Sequence, residues 1–221
     1  AQLVGMIEWR PQSSTATFQF RNVRYLYDNP GSADSFDTAF QLEGLIGSGE
    51  LLVVPLDTQS ASSILEIANV KDQAVTAVVN IYDQYGRLQN THTPPIPAHG
   101  SVHIITDGDL SNSKGIATIQ GSSPSSLVAV VMQYGRKGIG GIQYMYGIPA
   151  KVADGSVLRS SYNTFLKQDC RLLLVNPTSG VTRATLSMVR YDGTSVLDNR
   201  LVTIYAHGLI DYDLCGEEDP D

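Results

Sequence analysis

The 221 residues carry 22 acidic and 15 basic side chains, a net charge of −7 that argues against a nucleic-acid partner, since phosphate backbones call for clustered Lys and Arg. Hydrophobic residues make up 42% and charged residues 17%, a balance that excludes wholesale disorder. No run of about 18 apolar residues is present, so no membrane insertion by a helix is expected.

In chain order, the first 48 residues hold short apolar runs, Gly5-Met6-Ile7-Glu8-Trp9 and Thr17-Phe18-Gln19-Phe20, and one helical candidate, Asp37–Leu45. A β pattern then takes over. Ser62–Asn69 and Ala74–Tyr82 read as strands, the second rich in Val, Ile and Thr. A Tyr-Asp-x-x-Gly turn leads into Arg87–Thr93, then Pro94–Pro97, the turn Ala98-His99-Gly100 and the strand Ser101–Thr106. Gly115–Gln120 and the apolar Leu127–Tyr134 follow, and Gly138–Ile148 returns as a last strand. Leu172–Val175, Ala184–Tyr191 and Arg200–Tyr205 continue the theme. Short strands broken by turns at such intervals predict an all-β antiparallel sandwich.

The chain also repeats itself. Ile96-Pro97-Ala98-His99-Gly100 returns as Ile204-Tyr205-Ala206-His207-Gly208, Asn69 as Asn176, and Tyr82-Asp83 as Tyr191-Asp192, at an offset of about 108 residues. Two tandem β-sandwich modules are expected, of immunoglobulin-like or jelly-roll-like build. One spans residues 49–154. The other spans 155–221 and lacks a counterpart to Gly115–Ile148. Gly5–Trp9 resembles Gly115–Ile119, Thr17–Phe20 with Tyr25 resembles Leu127–Tyr134, and Phe40–Gly47 stands for Ile142–Ile148. Residues 1–48 are therefore expected to complete the second, split module within one chain as a monomer, since apolar strand edges otherwise stay open; the alternatives are strand exchange in a dimer or a third partial domain folded separately.

The order of these features resembles the bacterial sensory rhodopsin transducer family and the tandem immunoglobulin-like repeats of exported bacterial proteins. The residues that carry the resemblance are Leu65–Asn69, Ala74–Tyr82, Pro97-Ala98-His99-Gly100 and Leu127–Gln133. It implies a β-sandwich with an interaction role and carries over no catalytic residue. The duplication departs from the transducer pattern and sets this chain apart from a signalling role.

Chemistry is thinly signalled. The two cysteines, Cys170 and Cys215, flank the second copy, near the counterparts Ser63 and Ser111. A bridge between them closes a loop of about 45 residues, worth about 4 kcal/mol on the chain-entropy model, and suits an oxidising compartment; the alternative is two reduced thiols. His99 and His103 lack zinc-site spacing, and His99 recurs as His207 in the same turn, which points to a turn role rather than a metal. Asp107–Asn112 begins like a calcium loop but has Asn112 and Thr118 where Gly and Glu are required. There is no Gly-x-Ser-x-Gly elbow and no phosphate-binding glycine loop, so no enzyme and no cofactor are expected. Aromatics remain: Tyr134, Tyr144 and Tyr146 in the first module, and Trp9 and Tyr25 in the split one, are the candidate ligand-binding residues. Ala1 in place of Met suits a processed exported chain or a segment of something larger. The expectation is a non-enzymatic structural, adhesion or interaction module, secreted, periplasmic or on the cell surface, with a protein or glycan partner. The alternative is a carbohydrate- or small-ligand-binding sandwich.

Overall fold

Residues 61–69 alternate strictly between buried and half-buried side chains, the signature of a strand with one face on a core. The computed structural model describes residues 6–7, 21–27, 36–47, 50–137, 141–153, 157–162 and 170–218. In order, the strands of the N-terminal part are β1 (Arg21–Tyr27), β2 (Phe36–Glu43), β3 (Leu52–Asp57), β4 (Ala61–Asn69), β5 (Val75–Asp83), β6 (Leu88–His92), β7 (Pro95–Ile96) and β8 (Ser101–Ile105). Then come β9 (Lys114–Gly121), β10 (Leu127–Lys137), β11 (Gly141–Pro149) and β12 (Lys151–Val152). The C-terminal part holds β13 (Arg171–Val175), β14 (Thr182–Val189), β15 (Ser195–Ile204), β16 (Leu209–Asp213) and the short helix α1 (Cys215–Glu218). The chain is nearly all β, and every strand pair is antiparallel.

Strands β3 to β12 build two sheets, one ordered β11-β10-β4-β8 and the other β12-β3-β9-β5-β6, with β7 beside β5. Their facing side chains make one core: Leu52, Val54 and Leu56 from β3, Leu65 and Ile67 from β4, Ala77, Val79 and Ile81 from β5, and Ala129 and Val131 from β10. At one end a buried polar tie crosses between the sheets. Ser63 Oγ donates to the Asp57 carbonyl at 2.8 Å, and the buried Gln133 amide, with its nitrogen toward Asp57 O at 2.9 Å, joins it. Such a fully bonded pair fixes how the sheets sit without leaving an orphaned polar group.

Two layers cover the outer faces of this sandwich. The hairpin β1–β2 lies on the β11-β10-β4-β8 sheet. Leu42 and Phe40 reach Gly147, where Met132 also approaches, and Arg24 clamps Glu66 through both nitrogens at 3.2 and 2.9 Å. The residues expected to form a helix at Asp37–Leu45 thus form strand β2. Phe40 and Leu42, two apart, share the covered face, and pairing with β1 satisfies the backbone. On the opposite sheet, Leu209 with Leu173 and Val175 packs on Val53, Ile116 and Tyr82. Strand β3 has no counterpart among the expected strands because Pro55 interrupts its apolar run. Proline is tolerated there because β12 pairs only with Val53 and Leu52, leaving Pro55 at an edge.

The hairpin β1–β2 and the strands β13–β16 therefore lie on opposite sides of the first sandwich. Among the described residues no strand of residues 1–48 pairs with one of 155–221, the arrangement the split module requires. The apolar runs at Gly5–Trp9 and Thr17–Phe20 that it also invokes lie largely outside the described residues.

Candidate functional site

The repeated motif takes the same strand register and the same asparagine-centred turn in both places. In the first copy β4 pairs β8 with Ile64 opposite Ile105 through Ala68 opposite Ser101; in the second, β13 pairs β16 with Arg171 opposite Asp213 through Val175 opposite Leu209. At the end of each pair sits a buried asparagine. Asn69 Nδ2 donates to the carbonyls of Gln73, Ile96 and Pro97 at 2.7, 3.2 and 2.9 Å; Asn176 Nδ2 donates to those of Gly180, Ile204 and Tyr205 at 2.8, 3.4 and 2.9 Å. Each Oδ1 accepts a backbone N–H two residues on, from Lys71 and Thr178. His99 and His207 both adopt φ of 52°, the left-handed region that His visits more readily than most residues. Both histidines are thus turn residues, His99 reaching Asp72 at 2.7 Å and His207 stacking on Tyr82 at a centroid distance of 4.5 Å.

The copies diverge in what lies beside them. Strand β4 has β10 on its second edge and β5 has β9, but among the described residues β13 pairs only β16 and β14 pairs only β15. The consequence shows in burial. Leu65 and Ile67 are fully buried, whereas their counterparts Leu172 and Leu174 are half-buried. Ala77 and Val79 are fully buried, whereas Ala184 and Leu186 are half-buried. Among the described residues β13 and β14 thus each have one strand neighbour beside a partly open apolar face, where β4 and β5 have more; a strand next to such a face is where a further strand can add.

The seam between the copies is built from residues that differ between them. Glu66 and Ala68 on the outer face of β4 become Leu173 and Val175 on β13, which turns a polar face into one that packs on Ile116 and Val53. Comparing the copies face by face would have flagged this surface from sequence; the turn motifs alone did not. Lys114 bonds the carboxylate of Asp211 and lies 3.6 Å from that of Asp57, while Arg171 Nε reaches Asp211 at 2.9 Å and Nη1 reaches Asp213 at 3.2 Å. Burial pushes the Asp211 carboxyl up, but bonds from Arg171 and Lys114 and their positive charge outweigh it and hold Asp211 below its ordinary value. A depressed folded value means stability that is present above the unfolded value and is lost as pH falls through the folded one. The seam should therefore loosen below about pH 4, and Asp211→Asn should remove that acid step from a pH titration of amide exchange at Leu173 and Leu209.

One glycine is decisive at the seam. Gly86 has φ of 81°, and a Cβ there would stand 1.7 Å from the Ala206 carbonyl oxygen; its counterpart Gly193, φ 84°, has nothing within 4 Å. Gly86→Ala should cost both left-handed strain and the clash, at least about 2 kcal/mol more than Gly193→Ala, which meets only the strain of about 1 kcal/mol. Urea unfolding of the two variants checks the difference, and equal losses would mean the seam contributes nothing.

The candidate aromatics fall into separate groups. Tyr144 and Tyr146 stack at 6.0 Å with ring planes 17° apart, and the Tyr144 hydroxyl donates to the Ser60 carbonyl at 3.2 Å. Burial, then the charge of Asp57 and the neighbouring Tyr144, pushes the Tyr146 hydroxyl up to about 12. Beside this pair the Thr58–Ala61 turn, Asp107 and Asn112 line a shallow polar hollow of about 510 Å³. Tyr134 pairs with Met145, one residue out of phase with Tyr144 and Tyr146, and so projects from the other face of the sheet, near Glu66 and Arg24. Tyr25 sits on the hairpin, 59% exposed, stacked with Tyr27 at 6.4 Å. Trp9 lies outside the described residues. Among the described residues no group of three or more His, Cys, Asp or Glu is placed to hold a metal ion, and no helix is long and apolar enough to cross a membrane. Cys170 and Cys215 form a disulfide with Cα atoms 5.1 Å apart. Their structural counterparts are Ser63 and Asp107 rather than Ser63 and Ser111: Ser63 N donates to Asp107 Oδ1 at 2.9 Å where the second copy has its covalent bridge.

No family model matches the chain, and no curated protein is significantly similar to it. A solved structure with partial similarity is the crystal structure of Thermotoga maritima 1070, at 13% identity and a TM-score of 0.41, covering 49% of this chain and 98% of that one. Similarity at that level carries no argument about this protein.

Proposed function

We propose that this chain is a non-enzymatic structural or interaction module of an exported protein, a tandem of immunoglobulin-like or jelly-roll-like sandwiches that works by strand addition at its second copy. The observation that carries this reading is that, among the described residues, β13 and β14 each pair with one strand beside half-buried Leu172 and Leu174, where β4 and β5 of the first copy also pair with β10 and β9. The disulfide suits a secreted, periplasmic or cell-surface location. The motif order shared with the sensory rhodopsin transducer family supports the sandwich part of the reading only. A synthetic peptide with the β10 sequence Leu127–Gly135 provides the test. Added to the chain, it should slow amide exchange across Arg171–Val175; no protection at saturating peptide would remove strand addition as the activity.

The stacked Tyr144–Tyr146 pair beside the polar hollow favours a second reading, a carbohydrate-binding sandwich, because flat rings next to hydrogen-bonding groups suit sugar faces. A glycan array run with a Tyr144→Ala control separates the two: binding lost in the variant supports this reading, and a blank array with the parent chain rejects it.

A further inference from the structure

Where the two copies meet, a pair of tyrosines reaches the surface. Tyr85 comes from the turn between β5 and β6 of the first copy, and Tyr205 from the turn between β15 and β16 of the second. Each is 55% exposed, and their ring centroids lie 6.3 Å apart with the planes at 61°. Arg87 lies over the Tyr85 ring at 5.6 Å. Arg183 stands on the other side. It pairs with Thr203, and Leu201, Thr203 and Tyr205 are exposed while Val202 and Ile204 between them are buried, so Thr203 and Tyr205 share the outer face. That makes Arg183 and Tyr205 diagonal neighbours, about 7–8 Å apart in backbone and within reach of long side chains.

Both arginines are uncommitted. The cations that form ion pairs among the described residues are Arg24, Lys114, Lys151 and Arg171, together with His92 and His99. Arg87 and Arg183 are exposed and are not among them. Asp83, four residues before Arg87, is held by its own turn: it accepts the N–H groups of Tyr85 and Arg87 at 2.9 and 3.0 Å and the Gln89 amide at 3.2 Å. On a chain of net charge −7, this patch has the opposite sign.

The rings hang from fixed turns. The Tyr205 carbonyl accepts Asn176 Nδ2 at 2.9 Å and the Gly208 N–H at 3.0 Å, and the Leu209 N–H donates to the Gln84 carbonyl, beside Tyr85, at 3.0 Å. A surface built this way loses little freedom on binding. Nor is it a by-product of the duplication. The counterparts of Arg183 and Tyr205 in the first copy are Thr76 and Pro97, so both groups belong to the second copy alone.

The chemistry of the patch selects its occupant. Exposed rings take the C–H face of a sugar, and neither tyrosine hydroxyl is bonded among the described residues, so both can serve sugar hydroxyls. A guanidinium takes a carboxylate through two parallel bonds. A neutral sugar would leave both arginines unused, and an acidic peptide would leave the rings unused. We propose that this seam surface binds an oligosaccharide of uronic acid units, with Tyr85 and Tyr205 against sugar rings and Arg87 and Arg183 on their carboxylates. The arginines flank the tyrosines, so the occupant spans more than one sugar unit, touches both copies and braces the seam. The site is separate from the Tyr144–Tyr146 pair and needs no strand addition.

Calorimetric titration of the full chain with oligogalacturonate tests this, beside a maltooligosaccharide as neutral probe and polyglutamate as acidic-peptide probe. Oligogalacturonate should bind and slow amide exchange at Gly86 and Leu209, and its affinity should fall severalfold as salt rises from about 50 to about 200 mM. Tyr205→Ala, Arg87→Gln and Arg183→Gln should each weaken it at least about fivefold. Arg183 stands on β14, away from the residues packed at the seam, so its effect is not that of a loosened seam. Tyr144→Ala should leave this binding unchanged. No heat of binding at about 5 mM saccharide, or binding indifferent to Tyr205→Ala and Arg183→Gln, overturns the proposal. Equal binding of polyglutamate overturns it in favour of an acidic peptide, and equal binding of the maltooligosaccharide overturns it because the arginines then play no part.

Discussion

Replacing Cys170 and Cys215 together with serine lowers the stability of the C-terminal copy by about 4 kcal/mol, and amide exchange across β13 and β16 speeds up by roughly a thousandfold. The size comes from the 45-residue separation of the bridged positions, which the chain-entropy model converts into lost freedom of the unfolded chain. The place comes from the duplication. In the first copy the matching end of the sheet is tied by Ser63, which bonds Asp107, the Asp57 carbonyl and Gln133, and by Thr106, which bonds the Ser63 carbonyl at 3.1 Å. Two of those partners, Asp57 and Gln133, stand on β3 and β10. Among the described residues the second copy has no strand in the place of β10, and its matching end is tied by the Leu214 N–H to the Cys170 carbonyl at 2.9 Å and by the disulfide. The first copy carries no cysteine, so a reductant should move only the exchange of the C-terminal strands. Uniform loss of protection along the chain, or none, would contradict this division of labour.

The strands were legible where one face meets a core. Ser62–Asn69 and Ala74–Tyr82 announce themselves by their Ile, Val and Thr content between turn signals, and β4 and β5 begin and end within a residue or so of those expectations. The repeat was legible because a buried asparagine and a left-handed histidine tolerate little substitution, so the turn keeps its letters while the strands drift. Other features depend on surfaces that meet from far apart in the chain. Asp37–Leu45 reads as a helix until Phe40 and Leu42 are seen to share one covered face. The separation of Tyr134 from Tyr144 and Tyr146 follows from a register, Tyr134 opposite Met145, that no single strand encodes. The side of the sandwich on which the N-terminal hairpin lies is set by Arg24 meeting Glu66, 42 residues away. The expected patch of Tyr134, Tyr144 and Tyr146 thus resolves into two surfaces, and the edges of β13 and β14, with one strand neighbour each among the described residues, are invisible in any local pattern.

Asn69→Ala should cost the first sandwich about 3 kcal/mol, read as a shift in its urea midpoint with an unchanged slope. The side chain is fully buried, and its amide serves four backbone groups: it donates toward the carbonyls of Gln73, Ile96 and Pro97 and accepts from Lys71 N–H. Alanine removes all four bonds, and the Ile96 and Pro97 carbonyls lose a donor at the point where the chain crosses from β7 to β8. Each such bond contributes about 1 kcal/mol net, and leaving buried partners unsatisfied costs more than never having made the bond. Asn69→Asp sharpens the test. It keeps an acceptor for the Lys71 N–H but turns a carboxylate oxygen toward three carbonyl oxygens, so it should be worse than alanine at neutral pH although it is the closer isostere. If aspartate is tolerated, the shape of the side chain matters and its donor does not. Asn176→Ala then separates the turn from its surroundings. The same bonds are present at 2.8 to 3.4 Å, yet β13 has only one strand neighbour among the described residues. Its loss should appear as fraying of β13 and β15 and of the seam at Tyr82 and His207, while the first sandwich keeps its midpoint. Loss of both halves together would instead mean that the two copies fold as one cooperative unit.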